Sequence, residues 1–233
     1  MKKMDFKTWQ HVFKLDPAKE IMDGHLERIC KSGTDAILIG GSDNVTLDNV
    51  LHLAERVQRY QLPMVLEVST IDSVAPGFDY YFIPTVLNSD NPLWVKGLHH
   101  QAIREYGEFL DWDELVPEGY CILNADCKAA KLTDAQTDLT AEDVLAYARL
   151  AEHFFRLPIF YMEYSGMFGD MELVKKVKSV LTETHLFYGG GIDSADTAKK
   201  AFAFADTIVV GNIIYENIDK AIETVEAVAE TAG

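Results

Sequence analysis

The decisive stretch is His185-Leu186-Phe187-Tyr188-Gly189-Gly190-Gly191-Ile192-Asp193-Ser194, followed by Thr207-Ile208-Val209-Val210-Gly211-Asn212. Each half is a short run of β-branched or aromatic residues that stops at glycine, and residues 194–204 between them have helical periodicity. Working outward, similar runs stand at 12–15, 36–40, 64–68, 80–87, 120–123 and 159–164, which makes eight strands at 233 residues. Helical patterns follow at 18–31, 46–60, 92–109, 140–155, 170–181, 194–204 and 217–230. Only the gap at 69–79, with Pro76-Gly77, is too short for a crossover helix. Eight strands at this spacing, with helical segments after most of them, predict a closed (β/α)8 TIM-type barrel lacking a full helix after strand 3. A doubly wound open sheet usually has fewer strands and no paired glycine turns at strands seven and eight. No Pro-, Gly- or Ser-rich linker divides the chain, so residues 1–233 are expected to form a single domain.

Composition limits the partners. With 37 acidic and 21 basic residues the net charge is −16, which disfavours nucleic acid and anionic membrane, because both are bound through Lys and Arg. Cys30, Cys121 and Cys127 form no CxxC pair and leave one thiol over, as expected in a reducing cytoplasmic compartment. The N-terminal segment has positive charge without an apolar run behind it, and no stretch approaches a bilayer-spanning length.

In a barrel of this kind the chemistry stands at the C-terminal strand ends. Lys14 and Asp16 share the face of Val12, so a cation and a carboxylate are expected to meet at the mouth, paired with each other or with a ligand. The plain alternative is a structural ion pair. Asp16 also suits Mg²⁺, which takes one or two carboxylates and completes its shell with phosphate oxygens. Tyr161 and Glu163 share a face of strand six, and a carboxylate among aromatic rings suits a general base; the competing role is to accept amide hydrogen bonds and order Ser165-Gly166. Gly189-Gly190-Gly191 and Gly211-Asn212 let backbone amides converge on a phosphate, with Asp193 or Ser194 capping the next helix. Gly40-Gly41-Ser42 forms a second such loop, its hydroxyl available to a phosphate or a metal.

Together Lys14-Leu15-Asp16-Pro17, Gly40-Gly41-Ser42, residues 83–89 (IPTVLNS), Tyr161-Met162-Glu163-Tyr164-Ser165-Gly166, Gly189-Gly190-Gly191-Ile192 and Val209-Val210-Gly211-Asn212 resemble the geranylgeranylglyceryl phosphate synthase family, nearest its bacterial heptaprenylglyceryl branch. The match runs end to end and in order. The resemblance implies a barrel without its third helix and Mg²⁺-dependent transfer of a polyprenyl group from its diphosphate to the 3-hydroxyl of sn-glycerol 1-phosphate. It implies that Lys14, Tyr161, Met162, Glu163, Tyr164, Ser165, Gly166, Gly191, Gly211 and Asn212 hold glycerol phosphate. Asp16 and Ser42 would serve the Mg²⁺ and diphosphate, and Glu163, with Tyr161 orienting the ligand, would take the hydroxyl proton. Along the helix after strand four, Trp94, Leu98, Ala102 and Tyr106 form an i, i+4 stripe. Packing on the barrel is the plain alternative for Trp94 and Leu98, while Leu98 and the small Ala102 stand where the resemblance expects a prenyl channel open to a long, heptaprenyl-sized chain. Family members are commonly dimers or larger, so a homodimer is expected, with transient membrane contact for the lipid.

Two other functions fit parts of the pattern. A phosphosugar isomerase or lyase would use Glu163 and the glycine turns but no metal at Asp16 and Ser42, and a non-catalytic barrel would bind phospholigands without turnover. His99-His100 read as surface or interface residues, since neighbours on a helix diverge. Segments 104–118 and 206–230 supply ten of the sixteen excess charges and are expected on the outer shell, away from the mouth.

Overall fold

The computed structural model describes residues 5–232. Eight parallel strands close in sequence order: β1 His11–Leu15, β2 Ala36–Ile39, β3 Met64–Glu67, β4 Tyr80–Val86, β5 Leu115–Ile122, β6 Ile159–Glu163, β7 His185–Gly189 and β8 Thr207–Val210. Closure comes from β1, whose Val12 pairs with Ala36 on one side and Val209 on the other. Strand alternation separates two cores. Val12, Leu38, Val65, Phe82, Ile159 and Phe187 fill the lumen, while Phe13, Ile37, Leu66, Phe160, Leu186 and Ile208 face the helices. Trp9 and Phe6 plug the lower end, edge-on to Tyr80 at 6.1 and 5.6 Å between ring centroids.

The helices are α1 Asp23–Cys30, α2 Leu47–Val57, α3 Leu98–Tyr106, α4 Lys128–Thr133, α5 Ala141–Arg149, α6 Met171–Lys178, α7 Ala195–Phe202, α8 Ile213–Glu216 and α9 Ile218–Ala232. Capping boxes at Thr46, Thr140 and Ser194 set the starts of α2, α5 and α7; Ser194 accepts from the amide of Thr197, the capping role expected for it. After β3 the chain makes only a 3-10 turn, Ile71–Ser73. The barrel wall is therefore thin between β3 and β4, as the 69–79 gap predicts.

Several boundaries differ from the expectation. β5 begins at Leu115 rather than 120, because Pro117, Glu118 and Gly119 interrupt the apolar pattern although they lie on the strand. The helix expected at 92–109 opens instead with a π turn, Leu93–Gly97, before α3, and the one at 140–155 ends in another, Leu150–Phe155. The short helices α4 and α8 are additions at the mouth. Their four to six residues carry too few turns for a periodic signal.

Candidate active site

A cavity of about 900 Å³ opens at the C-terminal strand ends and reaches between β4 and α3. Its polar part gathers Lys14, Asp16, Ser42, Tyr161, Glu163, Ser165, Gly166, Gly191, Gly211 and Asn212, and its apolar part includes Leu98 and Ala102. These residues come from both ends of the sequence, and barrel closure alone brings them together.

Glu163 is fixed at both oxygens. Tyr120 donates to Oε2 at 2.9 Å and the amide of Ser165 donates to Oε1 at 2.6 Å. The carboxylate thus also orders the loop that follows it, so the two roles weighed from sequence coexist. Burial pushes its pKa above the usual carboxylate range, opposed by the Lys14 ammonium and the Tyr120 hydroxyl. A carboxylate so placed is a stronger base than one in water and retains lone pairs toward the cavity. Tyr161 is buried and stacked on Tyr120, with centroids 4.5 Å apart. Its hydroxyl lies under Gly189, where a Cβ would fall 2.2 Å from it, so only glycine leaves that room.

Lys14 and Asp16 do not pair. Lys14 Nζ donates to Glu67 Oε1 at 2.5 Å and lies 3.5 Å from the Tyr120 hydroxyl. Burial opposes its charge, but the carboxylates of Glu67 and Glu163 outweigh that and raise its pKa. Asp16 instead stands at the rim, where its Oδ1 accepts from the amide of Ala18 and its own amide donates to the Tyr215 hydroxyl. The pairing differs because Lys14 points across the lumen to β3, a contact that strand parity alone cannot supply.

Met162 and Tyr164 do not line the cavity. Their side chains lie on the outer face of β6, Met162 fully buried under the helices and Tyr164 packed 5.9 Å from the Tyr188 ring. The two-residue alternation that brings Tyr161 and Glu163 inward turns these outward. His99 also departs from expectation. It is half-buried in the cavity wall and its Nε2 lies 3.1 Å from the Pro84 carbonyl, while His100 is exposed. Tyr106 is exposed at the end of α3. Two of the acids expected on the outer shell are elsewhere: Glu216 lines the mouth, and Glu118 is buried in the lumen below the cavity.

The phosphate-type turns have the backbone they require. Gly190 and Gly191 have φ of +133° and +61°, and a Cβ on Gly191 would fall 2.2 Å from the Phe168 amide nitrogen. Across the mouth, a Cβ on Gly41 would sit 2.6 Å from Asp16 Oδ1. That bare backbone beside a carboxylate, with the exposed Ser42 next to it, fits a hydrated Mg²⁺ sharing its shell with phosphates. No group of three or more His, Cys, Asp or Glu among the described residues forms a cage, so ligand oxygens would have to complete the shell. Tyr120 and Glu67 escaped the sequence reading. Tyr120 pairs with Tyr161 in register, a signal that needed β5 to begin before residue 120.

The family model described as "PcrB family" matches residues 4–229. The chain belongs to the PcrB family. It is 61% identical over 228 residues to the heptaprenylglyceryl phosphate synthase of Lysinibacillus sphaericus, covering 98% of this chain and all of that protein. It is 63% identical over 224 residues to that of Bacillus licheniformis, covering 96% and 98%. Among solved structures, the geranylgeranylglyceryl phosphate synthase of Thermoplasma acidophilum, in complex with sn-glycerol-1-phosphate, superposes with a TM-score of 0.83 at 24% identity, over 95% of this chain and 94% of that one. At that identity the likeness establishes the barrel. The relatives near 60% identity match this chain almost end to end.

Proposed function

We propose that this PcrB-family barrel transfers a long polyprenyl group, heptaprenyl in length, from its diphosphate to the 3-hydroxyl of sn-glycerol 1-phosphate, giving an ether-linked prenylglyceryl phosphate and diphosphate. The observation that carries the proposal is Glu163, a buried carboxylate locked by Tyr120 and the Ser165 amide in a cavity that joins glycine turns to an apolar slot. Near-full-length identity to proteins named for this activity supports it.

The amides of the Gly191 and Gly211 turns and Asn212 receive the phosphate, and Lys14 adds positive charge beneath it. Glu163 faces the hydroxyl that reacts. As the hydroxyl oxygen bonds to the allylic carbon, the bond from that carbon to the diphosphate breaks and the hydroxyl proton passes to Glu163. Asp16 and Ser42 would hold Mg²⁺, which would supply positive charge to stabilise the departing diphosphate. The buried ring of Tyr161, stacked on Tyr120, backs the acceptor and excludes water. The slot past Leu98 and Ala102 receives the chain. A homodimer belongs to the same proposal, and sedimentation velocity reads it.

Incubation of the protein with sn-glycerol 1-phosphate, Mg²⁺ and prenyl diphosphates of graded length, followed by product mass, is the direct test. An ether product that disappears when the metal is chelated is expected. Turnover of a phosphosugar without metal would replace this function by the isomerase alternative.

A further inference from the structure

The lumen beneath the site holds more acid than the mechanism uses. Glu67, Glu118 and Glu163 project inward from β3, β5 and β6 toward a single ammonium, Lys14. Two of the three carboxylates are accounted for: Glu67 Oε1 takes Lys14, and Glu163 takes Tyr120 and the Ser165 amide. Glu118 is wholly buried, and neither of its oxygens has a hydrogen-bond partner; Glu67 Oε2 is also unpartnered. An ionised carboxylate without a partner in such surroundings is prohibitively costly, and the single cation is already engaged.

We infer that Glu118 is a positioning residue that remains a neutral carboxylic acid and thereby leaves Lys14 raised toward the mouth on Glu67, where the glycerol phosphate is received. This rests on the proposed activity for its catalytic consequence, but not for the charge state. The physical basis is competition. An ionised Glu118 would attract the same ammonium from below and draw it off Glu67, whereas the neutral acid exerts no such pull. Burial, followed by the charge of Glu67, pushes the Glu118 pKa well above the carboxylate range, against the pull of Lys14. The other titratable groups of the lumen work in the same direction or are neutral. Glu163 on β6 adds repulsion, Tyr120 and Tyr161 keep their protons because burial raises their pKa values, and Tyr80 on β4 does likewise. His185, at the lower rim of β7, is bonded to Thr207, and burial lowers its pKa.

Glu118→Gln keeps the shape and the neutrality, so it separates a charge role from a packing role. In the infrared spectrum at neutral pH, the wild type should show the C=O stretch of a protonated carboxyl that E118Q lacks. The native acid retains its proton after the unfolded one has lost it, so wild-type stability falls with rising pH across that interval. The midpoint of thermal unfolding of E118Q should therefore gain on the wild type as pH rises above the carboxylate range. In kinetics, E118Q should keep kcat/KM for sn-glycerol 1-phosphate within about threefold at neutral pH; the wild type should lose kcat/KM at alkaline pH as Glu118 ionises and draws Lys14 down, and E118Q should move or abolish that fall. No lost carboxyl band, or an unchanged alkaline limb, overturns the inference. So does a tenfold neutral-pH loss in a folded E118Q. If the wild type makes no ether product at all, the proposed function fails, while the spectrum and the stability profile still decide the state of Glu118.

Discussion

At the residue scale the site depends on how Glu163 is held. Its two anchors have different origins: Ser165 is two residues along the chain, whereas Tyr120 comes from the neighbouring strand. Glu163→Gln keeps the shape and removes the base, so turnover should fall about 100-fold or more, the usual scale of general-base catalysis. The Kd of glycerol phosphate, read by calorimetry, should stay within a few-fold, and a tenfold weaker Kd would show a binding residue instead. Because burial raises its pKa, the acid limb of wild-type kcat/KM should lie above the ordinary carboxylate range. Activity is lost as pH falls through that raised value, because the base is then protonated. A limb at or below the ordinary range would contradict the burial argument.

At the element scale, α3 and the π turn before it form one wall of the slot, with Ala102 half-buried where a larger residue would fill it. Ala102→Trp should shift preference toward shorter donors by about tenfold or more, the scale of a single methylene gained or lost in an apolar pocket. Competition between donors of two lengths, resolved by product mass, measures it, and an unchanged ratio removes Ala102 from the slot. A second element effect lies on the opposite side. Glu152, in the π turn that ends α5, accepts from the Thr182 hydroxyl and from the amides of Thr182, Glu183 and Thr184, tying down the entry to β7. Burial works against its charge, but these bonds outweigh it and lower the pKa to about 2. The native pKa is depressed, so the stabilisation is present above the unfolded value and is lost as pH falls from about 4.5 toward about 2. Glu152→Ala should cost on the order of 2 kcal/mol at neutral pH, and denaturant titrations should show that cost shrinking across the acid window. A cost independent of pH would place it in packing.

At the scale of the whole molecule, charge and apolar surface oppose each other. The net charge of −16 lies mostly outside, on faces such as Asp219, Glu223 and Glu226 of α9, while Phe109 and Trp112 are exposed beyond the end of α3. No helix of the described residues is long and apolar enough to cross a membrane. Contact with a lipid surface should therefore be apolar and opposed by anionic headgroups. In co-sedimentation at low salt, vesicles of neutral lipid should retain more protein than vesicles containing anionic lipid. The reverse order would require a basic docking face.

The sequence by itself determined the barrel, the missing helix after β3, the glycine turns and the inward pair Tyr161 and Glu163. All of these follow from local periodicity and from residue types with narrow conformational uses. The ordered motifs also carried the family resemblance. Closure decided the rest. Glu67 and Tyr120 became partners of Lys14 and Glu163 because strands distant in sequence face one another across the lumen, and no spacing along the chain records that distance. Met162 and Tyr164 belonged to a site motif by position but pack outward by alternation. Glu118 shows the difference most plainly. In the sequence it is one acid in an acidic segment, and only the closed barrel removes it from water, surrounds it with two further carboxylates and leaves it without a counter-ion of its own.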